Sequence, residues 1–208
     1  MLNPWVKIAA ICSVLMGIVL FCVIFGGYSS LYRAQNRIKA SKEYLTNVCQ
    51  VRLNFLPQLS DTIKTSEHKK TVAELQHIGE NTQKALQQII STKTPLNNAL
   101  TLQLETSQQA LTLHLANLFL QLDQSMDKDN NPFQAIKKQL FLAQNTLFVS
   151  KRRYNKEITY FNTRTTAFPG VLIAKLFGFN KIKYFKLSEG SLLPADKVFT
   201  GKAQSAES

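Results

Sequence analysis

The sequence predicts an all-α protein: one N-terminal transmembrane helix, an elongated antiparallel four-helix bundle and a short C-terminal tail. Three observations carry that prediction. An uncharged apolar run, Ile8 to Gly27, is long enough to cross a bilayer. Beyond it, apolar residues recur at spacings of three, four and seven, and no stretch alternates with period two for long enough to make a strand. Gly and Pro number only 8 and 6 in 208 residues, too few for many short strands joined by turns.

The chain divides into a flank (residues 1–7), the transmembrane helix (8–28), the bundle (29–168) and a basic aromatic tail (169–208) expected to be disordered at its end. About 20 apolar residues at ~1.5 Å each give ~30 Å, the thickness of a bilayer core. Trp5 and Tyr28 flank the run where interfacial aromatics belong. The run exceeds the ~7–15 apolar residues of a secretory signal, and Phe25-Gly26-Gly27-Tyr28 is a poor cleavage site, so the span is expected to be retained as a single-pass anchor. Lys7 precedes the span, whereas Arg33, Arg37, Lys39 and Lys42 follow it, which favours a cytoplasmic bundle.

The first bundle helix continues from the span. Ile38, Leu45, Val48, Phe55 and Leu59 form its apolar stripe, with Pro57 expected to kink it. Thr65-Ser66-Glu67 has the form of a helix start, followed by the stripe Val72, Leu75, Gly79, Leu86 and Ile89. Thr94-Pro95 is a second start, leading into Leu100, Leu104, Leu111, Leu115, Leu118 and Leu122. Asp127 to Asn131 reads as a polar turn, and Asn131-Pro132 opens the last long helix with Phe133, Ile136, Leu140, Ala143, Leu147, Tyr154, Ile158 and Phe161. Pro169-Gly170 is expected to stop that helix near Phe168. Helices of about 27–34 residues, roughly 40–50 Å long, joined by short connections, favour coiled-coil-like antiparallel packing. The end of the fourth helix then returns to the membrane.

The net charge of +12 suits nucleic acid, anionic lipid or an acidic partner. Much of it is concentrated between Lys151 and Lys186, which holds nine Lys or Arg and one acid, Glu157. The same stretch carries Phe161, Phe168, Phe177, Phe179, Tyr184 and Phe185. One reading is a hydrophobic strap on the bundle with solvated lysines. The other, favoured by the return of the fourth helix to the membrane, is an interfacial element whose lysines meet anionic lipid. No nucleic-acid-binding motif is present, so nucleic acid is not expected as a partner. The candidate membrane or partner contacts are Arg152, Arg153, Tyr154, Phe168, Pro169, Lys175, Phe177, Phe179, Lys181, Lys183 and Lys186.

Catalytic chemistry leaves no trace. There is no phosphate loop, nucleophile elbow, Cys-x-x-Cys or His-Glu-x-x-His. Glu74 and His77 form a single Glu-x-x-His, where a di-iron bundle needs two such pairs and two further glutamates. Cys12 and Cys22 lie in the apolar run, which leaves Cys49 as a packing residue without a disulfide partner. No polar cluster converges on an apolar stripe to suggest a ligand pocket. The expectation is a non-enzyme without cofactor or metal.

The C-terminal third resembles the LemA family of bacterial membrane proteins. The matching residues are Arg152-Arg153-Tyr154-Asn155, Tyr160-Phe161-Asn162, Phe168-Pro169, Leu172-Ile173-Ala174-Lys175-Leu176-Phe177-Gly178-Phe179 and Tyr184-Phe185. Earlier, Arg52-Leu53-Asn54-Phe55-Leu56-Pro57-Gln58-Leu59 is similar to that family's Arg-Tyr-x-Leu-Ile-Pro-Asn-Leu, with Leu53 and Gln58 departing from it, and Ala143-Gln144-Asn145 stands for its Thr-Glu-Asn. Its Glu-Ala-Tyr-Pro-Asp-Leu element is not visible. The resemblance implies an N-terminal anchor followed by an antiparallel helical bundle, in a family of bacterial envelope or membrane-associated proteins with no established enzymatic activity; the expected location is the bacterial inner membrane. The expected function is a membrane-anchored scaffold or interaction protein that self-associates or holds another membrane protein. Excess apolar residues on the fourth helix, Phe141, Leu142, Phe148 and Val149, point to such an interface. The alternative is a membrane-bound sensory four-helix domain that binds a small ligand.

Overall fold

The computed structural model describes residues 4–63, 69–92, 98–125 and 131–185. Within them the chain is helical without strands: α1 (Pro4–Thr62), α2 (Lys69–Ser91), α3 (Asn98–Ser125), α4 (Asn131–Thr166) and a short α5 (Gly170–Phe177). The starts expected at Thr65-Ser66-Glu67 and Thr94-Pro95 fall outside the described residues, as do the polar turn before Asn131, Lys186 and the polar C-terminal end. Asn131-Pro132 does open α4.

α1 is one helix of 59 residues and passes through Pro57 to Thr62. A proline removes one backbone donor, but here it ends nothing, because Leu53, Leu56 and Leu59 on either side of it are buried in the core. The apolar segment from Ile8 to Phe25 is exposed, and α1 is the helix among the described residues long and apolar enough to cross a membrane. Core burial begins at Leu31. From there Ile38, Leu45 and Leu59 are buried at heptad spacing, joined by Leu86 and Ile89 of α2, Leu104, Leu111 and Leu118 of α3, and Leu140, Leu147 and Ile158 of α4. Each such side chain contributes about 1.5–3 kcal/mol relative to exposure.

The register follows from side-chain pairs. Along α1 and α4, Arg164 donates to Ser30 Oγ, Arg37 lies 3.8 Å from Glu157, and the Arg153 guanidinium sits 5.7 Å from the Tyr44 ring, so the two helices run antiparallel. Lys42 Nζ donates to the Thr92 carbonyl and Gln83 Nε2 to Gln50 Oε1 (3.1 Å), which sets α2 antiparallel to α1. Arg52 reaches Gln108 and Thr112 on α3, and the Phe119 and Phe133 rings meet at 6.0 Å between α3 and α4. The order is up, down, up, down.

Two features go beyond the sequence reading. The α2–α3 pair is shorter than the α1–α4 pair: α2 has 23 residues and ends at the level of Lys42, whereas α4 has 36 and continues to the level of Ser30. Among the described residues the bundle is therefore four-helical only beyond Lys42. The fourth helix ends beside Pro169-Gly170 as expected, but the tail then forms a short helix that the sequence did not predict. α4 stops at Thr166, the Phe168–Pro169 peptide is cis, and α5 starts at once. A Cβ on Gly170 would stand 2.1 Å from the Arg164 carbonyl oxygen, so only glycine lets the chain turn this tightly. Gly178, left-handed at φ 73°, caps α5, and the Phe179 N–H donates to the Ala174 carbonyl (2.9 Å).

Candidate functional site

Beyond α5 the chain turns back along α4. Two asparagines hold it there. Asn162 Nδ2 donates to the Ile182 carbonyl (2.7 Å) while the Ile182 N–H donates to Asn162 Oδ1 (2.9 Å). Asn155 does the same with Phe185, both bonds at 2.8 Å. Each side-chain amide thus pairs with one main-chain residue as a neighbouring strand would. The geometry fits an extended strap. Three residues from Ile182 to Phe185 span about 10 Å, as do seven helical residues from Asn155 to Asn162. Aromatic rings back each clasp: Tyr154 against Phe185 at 6.1 Å and Phe161 against Phe179 at 6.3 Å.

The eleven predicted contacts divide accordingly. Tyr154 is fully buried, so its side chain serves the interior and not a contact surface. Phe179 is half-buried between Phe161 and Tyr28. Arg152 and Arg153 are exposed, placed over the Phe148 and Tyr44 rings. Phe168 (81% exposed), Pro169, Lys175 and Phe177 cluster at the end beside the apolar segment of α1. Lys181 and Lys183 are exposed on the strap, and Lys186 lies outside the described residues. Phe185 and Ile182 thus strap the bundle, one of the two readings the sequence offered, while α5 presents an exposed apolar face.

A second cluster was missed by the sequence reading, which found no convergent polar group. Arg52 lies midway between Leu45 and Leu59 on the α1 seam and is completely buried. Its Nη1 donates to Gln108 Oε1 (2.9 Å) and its Nη2 to Thr112 Oγ1 (2.7 Å). Gln108 and Lys151 are buried beside it, with Cys49 next to Arg52 and Lys151, and buried Glu105 next to Lys151. Burial lowers the Arg52 pKa to about 10 and pushes the Cys49 thiol up to about 11. The Lys151 ammonium is also held below its usual value by burial, with Glu105 opposing the shift. Its Nζ lies 5.5 Å from the Phe185 ring, so this polar layer touches the end of the strap. Arg52 Nε and Gln108 Nε2 are buried without a protein acceptor. Each such group costs about 1–3 kcal/mol. The signal that could have found the layer was an arginine at a seam position.

His77 and Glu74 are exposed on α2, with the His77 ring 3.4 Å from the Asn81 amide. A cleft of about 730 Å³ opens between the start of α3 and the strap, lined by Thr101, Glu105, Asn162, Lys183 and Tyr184 among others.

The family model described as the LemA family matches residues 33–197. Comparison with curated proteins and with solved structures gives no match. The match takes in the bundle part of α1, all of α2 to α5 and the asparagine-clasped strap, and its features agree with a membrane-associated helical bundle. By this coverage the chain belongs to the LemA family.

Proposed function

We propose that this protein is a membrane-anchored, non-enzymatic scaffold of the bacterial inner membrane, with its bundle in the cytoplasm and its outer faces associating with further copies of itself. The observation that carries the reading is the continuity of α1. The apolar segment and the first bundle helix are one rod, so the domain is held at a set height and orientation. Arg33, Arg37 and Lys39, exposed or half-exposed after the apolar segment, support the cytoplasmic placement. Lys42, counted with them in the sequence, is spent inside the bundle on the Thr92 carbonyl.

Exposed apolar side chains support association. Leu102, Leu113 and Leu120 share the outer face of α3, and Leu142 and Val149 share that of α4. Phe141 packs against the core and Phe148 is half-buried, so Leu142 and Val149 are what remains of the surface expected on α4. The test is cross-linking in intact membranes followed by mass spectrometry. Homotypic cross-links near α3 and α4 are expected, weakened by Leu113→Lys with Leu142→Lys. A strictly monomeric species, in membranes and at concentrations well above micromolar in detergent, would sink the self-association reading.

A sensory role has one observation in its favour, the cleft between α3 and the strap, whose size falls within the usual range for small-molecule sites.

A further inference from the structure

We infer that α5 is an interfacial helix whose outer face enters the same bilayer that α1 crosses, giving the chain a second, shallow hold on lipid. The inference rests on the proposed anchoring by α1. Position is its first support. Ile173 on the inner face of α5 fills the space where a Cβ on Gly27 would stand, 2.0 Å from Ile173 Cδ1. Phe177 lies 4.8 Å from the Tyr28 ring. Gly27 and Tyr28 are where the apolar run ends, so a bilayer spanned by Ile8 to Gly27 has its surface at the level of α5.

The faces of α5 supply the second support. Ile173 and Ala174 are buried against the bundle. Leu172 and Leu176, one turn apart, are 59% and 67% exposed, and Phe168, just before α5, is exposed as well. A water-facing helix would carry polar residues there. An interfacial helix buries such a face about 5–10 Å into the boundary between headgroups and acyl chains.

Charge supplies the third. No Asp or Glu occurs before Glu43, nor between Glu157 and Glu189. The exposed cations at this end are Arg33, Arg164, Lys175 and Lys181. Their stems can lie along apolar surface while the heads meet anionic lipid. The occupant that matches an apolar face with a rim of unopposed cations is an anionic bilayer.

The experiment uses the full chain reconstituted in phosphatidylethanolamine–phosphatidylglycerol vesicles. Trp5→Phe removes the native tryptophan, and single tryptophans are introduced by Phe21→Trp, Leu176→Trp or Val51→Trp. Leu176 is exposed, so its replacement leaves the packing of α5 alone. With lipids brominated high on the acyl chain, loss and blue shift of emission are expected for Leu176→Trp. Phe21→Trp should be quenched by bromine placed deeper, and Val51→Trp by neither. Quenching of Phe21→Trp with Leu176→Trp behaving like Val51→Trp would overturn the interfacial helix and leave the anchor standing. Absence of quenching at both Phe21→Trp and Leu176→Trp would overturn the anchor and this inference together.

Discussion

The two ends of the bundle solve the same packing problem differently. Beyond Lys42, the α1–α4 pair is closed by α2 and α3, with leucine seams and one buried polar layer. Between Ser30 and Lys42, among the described residues, α2 and α3 are gone, and α5 with the strap takes their place. A helix satisfies its own backbone, so helices can close a bundle by apolar contact alone. An extended strap brings unpaired N–H and C=O groups, which must find partners when buried. Asn155 and Asn162 supply them, seven residues apart on the face that also carries Tyr154 and Phe161. The difference teaches why Tyr154-Asn155 and Phe161-Asn162 recur as aromatic–asparagine pairs: one member packs and the other pairs with main chain.

The largest expected effect tests the polar layer. Arg52→Ala leaves a cavity and strands the Gln108 and Thr112 acceptors, at about 3–5 kcal/mol. Arg52→Met fills most of that volume but leaves the same acceptors stranded, so it should recover only the cavity part of the loss. Thermal unfolding of the detergent-solubilised chain, followed by circular dichroism, reads both. Equal destabilisation by the two would show that the guanidinium, and not its volume, holds the far end together.

A smaller effect comes from Cys49. Burial raises its thiol from an ordinary value near 9.0 to about 11, against the weaker opposing pull of Lys151 and Arg52. The folded chain then keeps its proton where the unfolded chain has lost it. The stabilising contribution is complete below pH ~9 and is lost as pH rises towards ~11, on the order of 1–3 kcal/mol. Comparing denaturant midpoints of the parent and Cys49→Ala across that window isolates the term. Parallel pH profiles would contradict it.

The smallest effect sharpens the contrast at the near end. Asn155→Ala or Asn162→Ala removes two strap bonds at a cost of about 1–2 kcal/mol, felt locally. Hydrogen exchange at the Phe185 or Ile182 amide should then quicken by roughly tenfold while amides deep in α4 keep their protection. If the helices lose protection equally, the strap is not a separate unit.

Much of this architecture is written in periodicity. The seams from Ile38 to Phe161 and the opening of α4 at Asn131-Pro132 are legible because apolar spacing and a helix-start proline are local signals. α5 is not legible in that way. Pro169-Gly170 signals a stop, and the restart depends on Gly170 passing the Arg164 carbonyl, a contact between residues that spacing rules do not join. Leu172 and Leu176 stand in a motif the sequence shows, but their exposure is not legible there, because it follows from which side of α5 meets Gly27. Arg52 was obscured by its own polarity. A single arginine reads as a break in a heptad seam until Gln108 and Thr112 are brought opposite it.

The unbroken passage of α1 from the apolar segment into the core has a mechanical consequence. A flexible tether would let the domain spin and nod freely above its attachment. A continuous helix has no swivel, because every peptide between Phe25 and Leu31 is locked by hydrogen bonds to its neighbours one turn away. Torque applied to the bundle is delivered to the apolar segment, and a rotation of that segment turns the bundle with it. The two halves of α1 behave as the shaft and the head of one tool.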